Sequence, residues 1–237
     1  MGVEGWEAMY VTERNALGGR HGFLSLLADP EIGDLAEAGR IRRYRRGATL
    51  LAEGSWSGLV IVLHSGRVKV SSVTERGDEV LLAVRSPGDL LGEFSALDGE
   101  PCSATVTALD PVEALVVGAA EFRVFLEAHP AVTLHLLELL TRRLRDADRK
   151  RVEFGAADTT GRVSSRLVEL ADRFGQPTQH GVRISVPLTQ EELAGWVGSS
   201  REAVSKALRA LRTRGWIETQ RKAIVVVDLA ALRRRAT

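Results

Sequence analysis

The residues best equipped for chemistry in this chain stand between Thr189 and Leu211, and the chemistry they fit is hydrogen bonding to nucleic-acid bases. The segment ends Gly198-Ser-Ser-Arg-Glu-Ala-Val-Ser-Lys-Ala-Leu-Arg-Ala-Leu211. On a helical wheel that takes Arg201 as zero, Val204, Leu208 and Leu211 fall near about 300°, 340° and 280°. Arg201, Glu202, Ser205, Lys206 and Arg209 spread over roughly 0° to 140°. One stripe is a core face; the other is a row of polar side chains. Arginine pairs with guanine O6 and N7, and glutamate accepts from the cytosine amino group. For any one of these residues alone, an ordinary solvent-facing role is the simpler alternative. Arg209 divides evenly between phosphate contact and plain surface.

These residues need a scaffold that holds the helix end outward, and the flanking sequence supplies one. Thr189 can cap a first helix, with Glu192 at the capping-box position. Gln190, in its first turn, joins the DNA-contact candidates. Gly198 ends this helix, and Ser199 or Ser200 can cap the next. Two short helices joined by a glycine-containing turn make a helix-turn-helix. Beyond it, Gly215 to Val227 reads as two strands with a basic turn at Arg221-Lys222: a wing whose tip can touch phosphate. Basic hairpin tips also occur without that role. Trp196 and Trp216 read as core residues rather than stacking platforms.

Upstream the pattern changes to β. Strands are expected at Thr49–Leu51, Leu59–Leu63, Val68–Val73, Val80–Val84, Thr105–Ala108 and Glu113–Val117, separated by glycines from Gly47 to Gly99. Many short strands at this spacing imply a roll, sandwich or barrel. After Pro130, Leu134, Leu137, Thr141, Leu144 and Asp148 recur at alternating steps of three and four, a coiled-coil seam. Leu136, Leu139 and Leu140 widen the apolar face toward the β-domain. This helix should end near Phe154–Gly155. Asp158 is placed to cap a further helix reaching about Phe174, residues 175–181 read as a loop, and Val182–Val186 as a strand. The expected organisation is a flexible leader (1–21), a β-roll sensory domain (22–130), a dimerisation helix (131–155) and a winged helix-turn-helix (156–237). The fold class is α+β.

Charge supports this division. Residues 1–140 hold 12 Lys/Arg against 20 Asp/Glu, a balance of −8, and residues 141–237 hold 20 against 11, or +9. A basic half on an acidic half suggests a polyanionic partner, here double-stranded DNA, although a solvated basic face fits charge alone equally well. No apolar run approaches the roughly 18 residues of a membrane span, and the first twenty carry Glu4, Glu7 and Glu13, which argues against a secretory signal. A cytoplasmic setting follows. The single cysteine, Cys102, excludes an intrachain disulfide and a four-cysteine zinc site. It reads first as a small inert residue and second as a redox sensor. A metal-dependent β-roll enzyme is disfavoured, since His64 is the only histidine within 41–118; no catalytic or metal site is expected. A ligand-binding module that docks on proteins through its basic half is the remaining rival.

The motif at Leu188–Leu211, the glycines at 47, 54, 66 and 88, the run Gly92-Glu93-Phe94 and the segment Asp158-Thr-Thr-Gly-Arg162 resemble the superfamily of the cyclic-AMP receptor protein and the fumarate–nitrate reduction regulator. The likeness covers about residues 22–230. It implies a homodimer through the long helix, with recognition helices in successive major grooves of a palindrome, and contact with RNA polymerase, for which loop 175–181 is a candidate. By that resemblance Arg201, Glu202 and Lys206 are base readers, with Lys206 standing where the receptor has arginine. The effector pocket departs from the pattern. Cyclic-AMP binders carry Arg-Ser-Ala or Arg-Thr-Ala; this chain has Cys102-Ser103-Ala104. Glu93, the ribose-binding glutamate of the family, is present. The adenine-contacting Thr-Ser pair of the receptor aligns with Ala147 and Asp148. Asp148 can be a solvated helix end, a charge facing its symmetry mate, or an acceptor for a ligand's amino groups. The expectation is a small-molecule effector other than cyclic AMP, or none; a cyclic-nucleotide responder with an altered pocket is the alternative.

Overall fold

The computed structural model describes residues 22–220 and 222–236; the leader at 1–21 and Arg221 lie outside the described residues. After a 3-10 turn at Phe23–Leu26 come α1 (Asp29–Glu37), β1 (Gly39–Tyr44), β2 (Thr49–Leu51), β3 (Leu59–Ser65), β4 (Val68–Val73), β5 (Glu79–Arg85), β6 (Leu90–Leu91), α2 (Glu93–Asp98), β7 (Thr105–Ala108) and β8 (Val112–Gly118). Then follow α3 (Ala119–Ala128), α4 (Pro130–Ala156), α5 (Thr159–Phe174), β9 (Gly175–Thr178), β10 (Gly181–Ile184), α6 (Gln190–Val197), α7 (Arg201–Thr213), β11 (Ile217–Gln220), β12 (Ala223–Val226) and α8 (Leu229–Ala236).

Two antiparallel four-stranded sheets, ordered β1-β8-β3-β6 and β2-β7-β4-β5, make the β-domain. Strand β3 shows why its sequence is apolar throughout rather than alternating. Ile61 and Leu63 pack in the cluster that also holds Leu50, Leu51, Val68 and Val106 from the second sheet. Val60 and Val62 pack on the opposite face, in a cluster with Phe23, Leu35, Phe122 and Phe125 from the surrounding helices. A strand covered on both faces needs apolar residues at every position. That second cluster also receives Val132, Leu136 and Leu139 from α4, with Leu140 packed at its margin. The long helix therefore buries the face expected to meet the β-domain. It leaves Leu134, Leu137 and Leu144 more than half exposed on its other side.

The chain forms two compact units, one of residues up to Ser72 with Leu82–Leu144, the other of Val73–Leu81 with the residues from Arg145 on. The second contains a sheet ordered β11-β12-β10-β9 with α5 to α8. Buried Arg166 of α5 donates to Glu153 of α4 and, at 2.7 Å, to Glu169, and lies 5.7 Å from the Trp196 ring. Lys150 approaches the same ring at 5.5 Å and Glu169 at 3.4 Å. The end of α4 is thereby keyed into the helix-turn-helix unit.

Two strands correct the sequence reading. Residues 175–178 form an edge strand paired with β10 rather than the start of a loop; Pro177 is tolerated there because an edge residue need not donate to a neighbour. Strand β10 begins at Gly181 and ends at Ile184, not Val186. Helix α4 ends at Ala156, near Phe154–Gly155 as expected. Helix α8, which the sequence reading did not include, packs on α5: Arg233 reaches Asp172 at 2.7 Å and Arg235 binds both Asp158 carboxylate oxygens at 2.5 Å.

Candidate nucleic-acid interface and effector pocket

The helix-turn-helix is built by local hydrogen bonds that its sequence dictates. Thr189 Oγ1 accepts from the Glu192 backbone N–H at 3.1 Å, and the Glu192 carboxylate accepts from the Thr189 N–H at 2.8 Å, closing the capping box. Helix α6 ends at Gly198, whose φ of 56° and ψ of 50° are left-handed. The Ser199 N–H bonds back to the Ala194 carbonyl at 3.1 Å, the Schellman pattern that such a glycine permits. Ser200, rather than Ser199, caps α7, its Oγ accepting from the Ala203 N–H at 3.2 Å.

Helix α7 separates its faces as the wheel requires. Val204, Ala207, Leu208 and Leu211 are buried; Ser200, Arg201, Glu202, Lys206 and Arg209 are exposed, and Ser205 is half-buried. Among the described residues, the side chains of Arg201, Lys206 and Arg209 make no hydrogen bond or ion pair with the rest of the chain, so their donors remain available to a partner. The Glu202 carboxyl is held below its ordinary range by its own backbone N–H, then by the Ser200 hydroxyl and the charge of Arg201. It is thus an ionised, acceptor-only group at neutral pH. Gln190 is exposed in the first turn of α6. On the wing, Lys222 is exposed with φ of 60°, a hairpin-tip conformation uncommon for a residue with a Cβ. Trp196 is buried and Trp216 half-buried, so neither offers a stacking platform.

The residues that the sequence assigns to an effector pocket are placed as follows, each within its own unit. Gly92 turns from β6 into α2 with φ of 78°; a Cβ there would lie 2.3 Å from the Leu59 carbonyl oxygen, so only glycine fits. Glu93 is 4% exposed. Its carboxylate accepts from Arg143 Nη1, and Arg143 Nη2 donates to the Leu90 carbonyl at 2.7 Å. Arg143 was not among the sequence candidates. It lies off the leucine seam and pairs across 50 residues, so nothing local marked it. Phe94 is half exposed and Ser103 exposed. Cys102 is buried, its Sγ 3.3 Å from Ser57 Oγ, and its backbone bonds to Ser55 and Gly54 on the β2–β3 loop. Residues 92–104 thus present a paired carboxylate, a thiol and hydroxyls, with no basic side chain. Ala147 and Asp148 are exposed on the part of α4 that belongs to the second unit. Among the described residues no cluster of His, Cys, Asp and Glu could hold a metal ion, and no helix is long and apolar enough to cross a membrane.

Comparison with known proteins finds two domain families in the chain. Residues 41–129 match the cyclic nucleotide-binding domain family, and residues 161–235 match the Crp-like helix-turn-helix domain family. A CRP-like cAMP-activated global transcriptional regulator of Mycobacterium tuberculosis is 36% identical over 193 residues, 81% of this chain and 86% of that protein. The cAMP-activated global transcriptional regulator CRP of Pasteurella multocida is 30% identical over 199 residues, 84% of this chain and 95% of the relative. Among solved structures, a transcriptional regulator of the CRP family from Thermus thermophilus superposes with a TM-score of 0.69 at 27% identity, covering 82% of this chain and 96% of the other.

Proposed function

The chain belongs to the CRP/FNR superfamily of DNA-binding transcription regulators, and on that premise we propose that it acts as a homodimer reading a palindrome whose half-sites resemble GTG paired with CAC. The observation that carries this reading is the exposed row Arg201, Glu202, Lys206 and Arg209 on a helix whose other face is buried. Arg201 is suited to guanine, ionised Glu202 to the cytosine amino group, and Lys206 to a base or a phosphate. Gln190, Ser200 and Ser205 supply shorter contacts, and Arg221 and Lys222 phosphate contacts from the wing. The half-exposed leucines 134, 137 and 144, with Thr141 and Asp148 continuing the seam, are the dimer face. RNA polymerase is the protein partner and the cytoplasm the setting.

DNA binding by this dimer does not depend on cyclic AMP. The Mycobacterium tuberculosis and Pasteurella multocida relatives are cAMP-activated, but here residues 92–104 lack a cation for a cyclic phosphate, and Glu93 is already paired with Arg143. Loss of a buried charge partner costs about 2–5 kcal/mol, which is roughly 30- to several-thousand-fold in affinity. One observation favours a second reading, a cyclic-nucleotide responder with an altered pocket: Gly92 and the buried Glu93 are retained. Asp148 would then suit the donor edge of guanine better than adenine, making cyclic GMP the candidate.

Selection from random duplexes with purified protein and no added nucleotide tests the main reading. An inverted repeat with half-sites about 34 Å apart, and affinity falling steeply with salt, is expected. A monomer at micromolar concentration, or no preferred palindrome, overturns it. Calorimetry with cyclic AMP and cyclic GMP separates the two effector readings. Micromolar cyclic-AMP binding with enhanced DNA affinity would show the pocket to be functional as it stands. The triple change Cys102→Arg, Ala147→Thr and Asp148→Ser should strengthen cyclic-AMP binding.

A further inference from the structure

The turn between α6 and α7 is gripped by a side chain outside the recognition row. Arg162, in the first turn of α5, donates from Nε to the Val197 carbonyl at 2.8 Å and from Nη2 to Ser199 Oγ at 3.0 Å. Its Nη1 donates to the Ala157 carbonyl at 2.7 Å. The guanidinium carbon sits 5.5 Å from the centre of the Phe154 ring. That ring lies against Gly198, where an added Cβ would come within 2.3 Å of Cε1. Thr159 Oγ1 and Ser199 Oγ are 2.9 Å apart. One planar fork therefore spans the last residue of α6, the residue before the α7 cap, and the segment joining α4 to α5.

The turn needs such a grip. Val197 is the last residue of α6, where carbonyls lack intrahelical partners. Gly198 carries no side chain to restrict its backbone. The turn's own bonds to α6 fix its path but leave its placement against the end of α4 to side chains. We propose that Arg162 is a positioning residue for DNA readout: it sets the placement of α7 relative to the end of α4, without touching DNA itself. This rests on α7 being the reading helix. Base readout demands that side chains be held within about 0.5 Å and 10–20° of their partners, whereas attraction to phosphates tolerates orientation.

The chemistry makes a sharp distinction between arginine and lysine. A lysine keeps the charge but offers donors from one nitrogen, and cannot serve three separated acceptors at once. Arg162→Lys should therefore fail to rescue. It should weaken binding to the selected palindrome about tenfold or more, the loss of one or more oriented base contacts, while low-salt affinity for random duplex stays within about twofold. Ser199→Ala, which removes a single acceptor and leaves the fold intact, should shift the same ratio in the same direction by a smaller factor. In the Arg162→Lys background it should add little, because the two share one interaction. Amide hydrogen exchange without DNA should quicken at residues 199–204 in Arg162→Lys and not in the β-domain. Wild-type palindrome affinity in Arg162→Lys, or equal loss on palindrome and random DNA, overturns the proposal. If the wild-type protein selects no sequence, the DNA reading itself fails, and unchanged exchange at 199–204 would still refute the positioning role by itself.

Discussion

Arg143 on the long helix and Glu93 at the start of α2 form an ion pair in which the arginine side chain is 17% exposed and the glutamate side chain 5%. The pair takes up the one carboxylate that the family resemblance assigns to a ligand. Because the glutamate is buried, Arg143→Ala leaves a charge without its counter-ion, and breaking a buried pair in this way costs about 3–5 kcal/mol. The double change Glu93→Gln with Arg143→Ala should recover a large part of that loss in urea unfolding. Additive losses in the cycle would mean that the two side chains are energetically independent.

On the reading helix, Arg201→Ala should cost about 1–3 kcal/mol of discrimination at a single base pair. Lys222→Ala, on the wing, should weaken all sequences alike and reduce the salt slope by about one. Titrations against the selected site, single-base variants and random duplex separate the two. Equal loss on every duplex from Arg201→Ala would reduce it to a phosphate contact.

Adjacent leucines on α4 should behave oppositely. Leu136, 2% exposed in the apolar cluster, should cost about 2–5 kcal/mol as alanine and leave the oligomeric state intact. Leu137, 55% exposed, should as Leu137→Arg give a folded monomer with unchanged melting of the β-domain. Sedimentation and calorimetry check both, and a dimeric Leu137→Arg protein would remove the seam from the interface.

Asp158 caps α5 by accepting from the Gly161 N–H at 2.8 Å. That N–H, aided by Arg235, holds its carboxyl below the ordinary range. A depressed folded value means stabilisation that is present above the unfolded value, near 3.9, and lost as pH falls through the folded value. Asp158→Ala should cost about 1 kcal/mol at pH 7, and its deficit relative to the parent should shrink only below about pH 4. A deficit that closes already between pH 5 and 7 would assign the effect to another group.

What the sequence disclosed and what it hid follow one physical division. Caps and periodicities are local, so Thr189 with Glu192, Ser200, Asp158 and the faces of α7 could be read from neighbours in the chain. Strand β1 escaped because Arg40, Arg42 and Arg43 dominate it and its two large apolar residues, Ile41 and Tyr44, stand three apart and so make no period-two alternation. Helix α2 is six residues long, too short for a period to register. Helix α8 carries three consecutive arginines, and the carboxylates that receive two of them, Asp172 and Asp158, lie 61 and 77 residues away, so nothing local marked the helix. Arg143 and Arg162 were hidden for the same reason: their partners are brought to them by the fold, 50 and 35 residues away.

The tie between Asp158 and Arg235 also imposes an order of events in time. The two residues are separated by 77 positions, with the whole DNA-reading unit between them. At about 5–20 residues per second, the ribosome adds Arg235 roughly 4 to 15 s after Asp158. Through that interval the first turn of α5 carries its cap without the cation, while the β-domain, already synthesised, is free to fold. The reading head is thus completed only after the β-domain that precedes it.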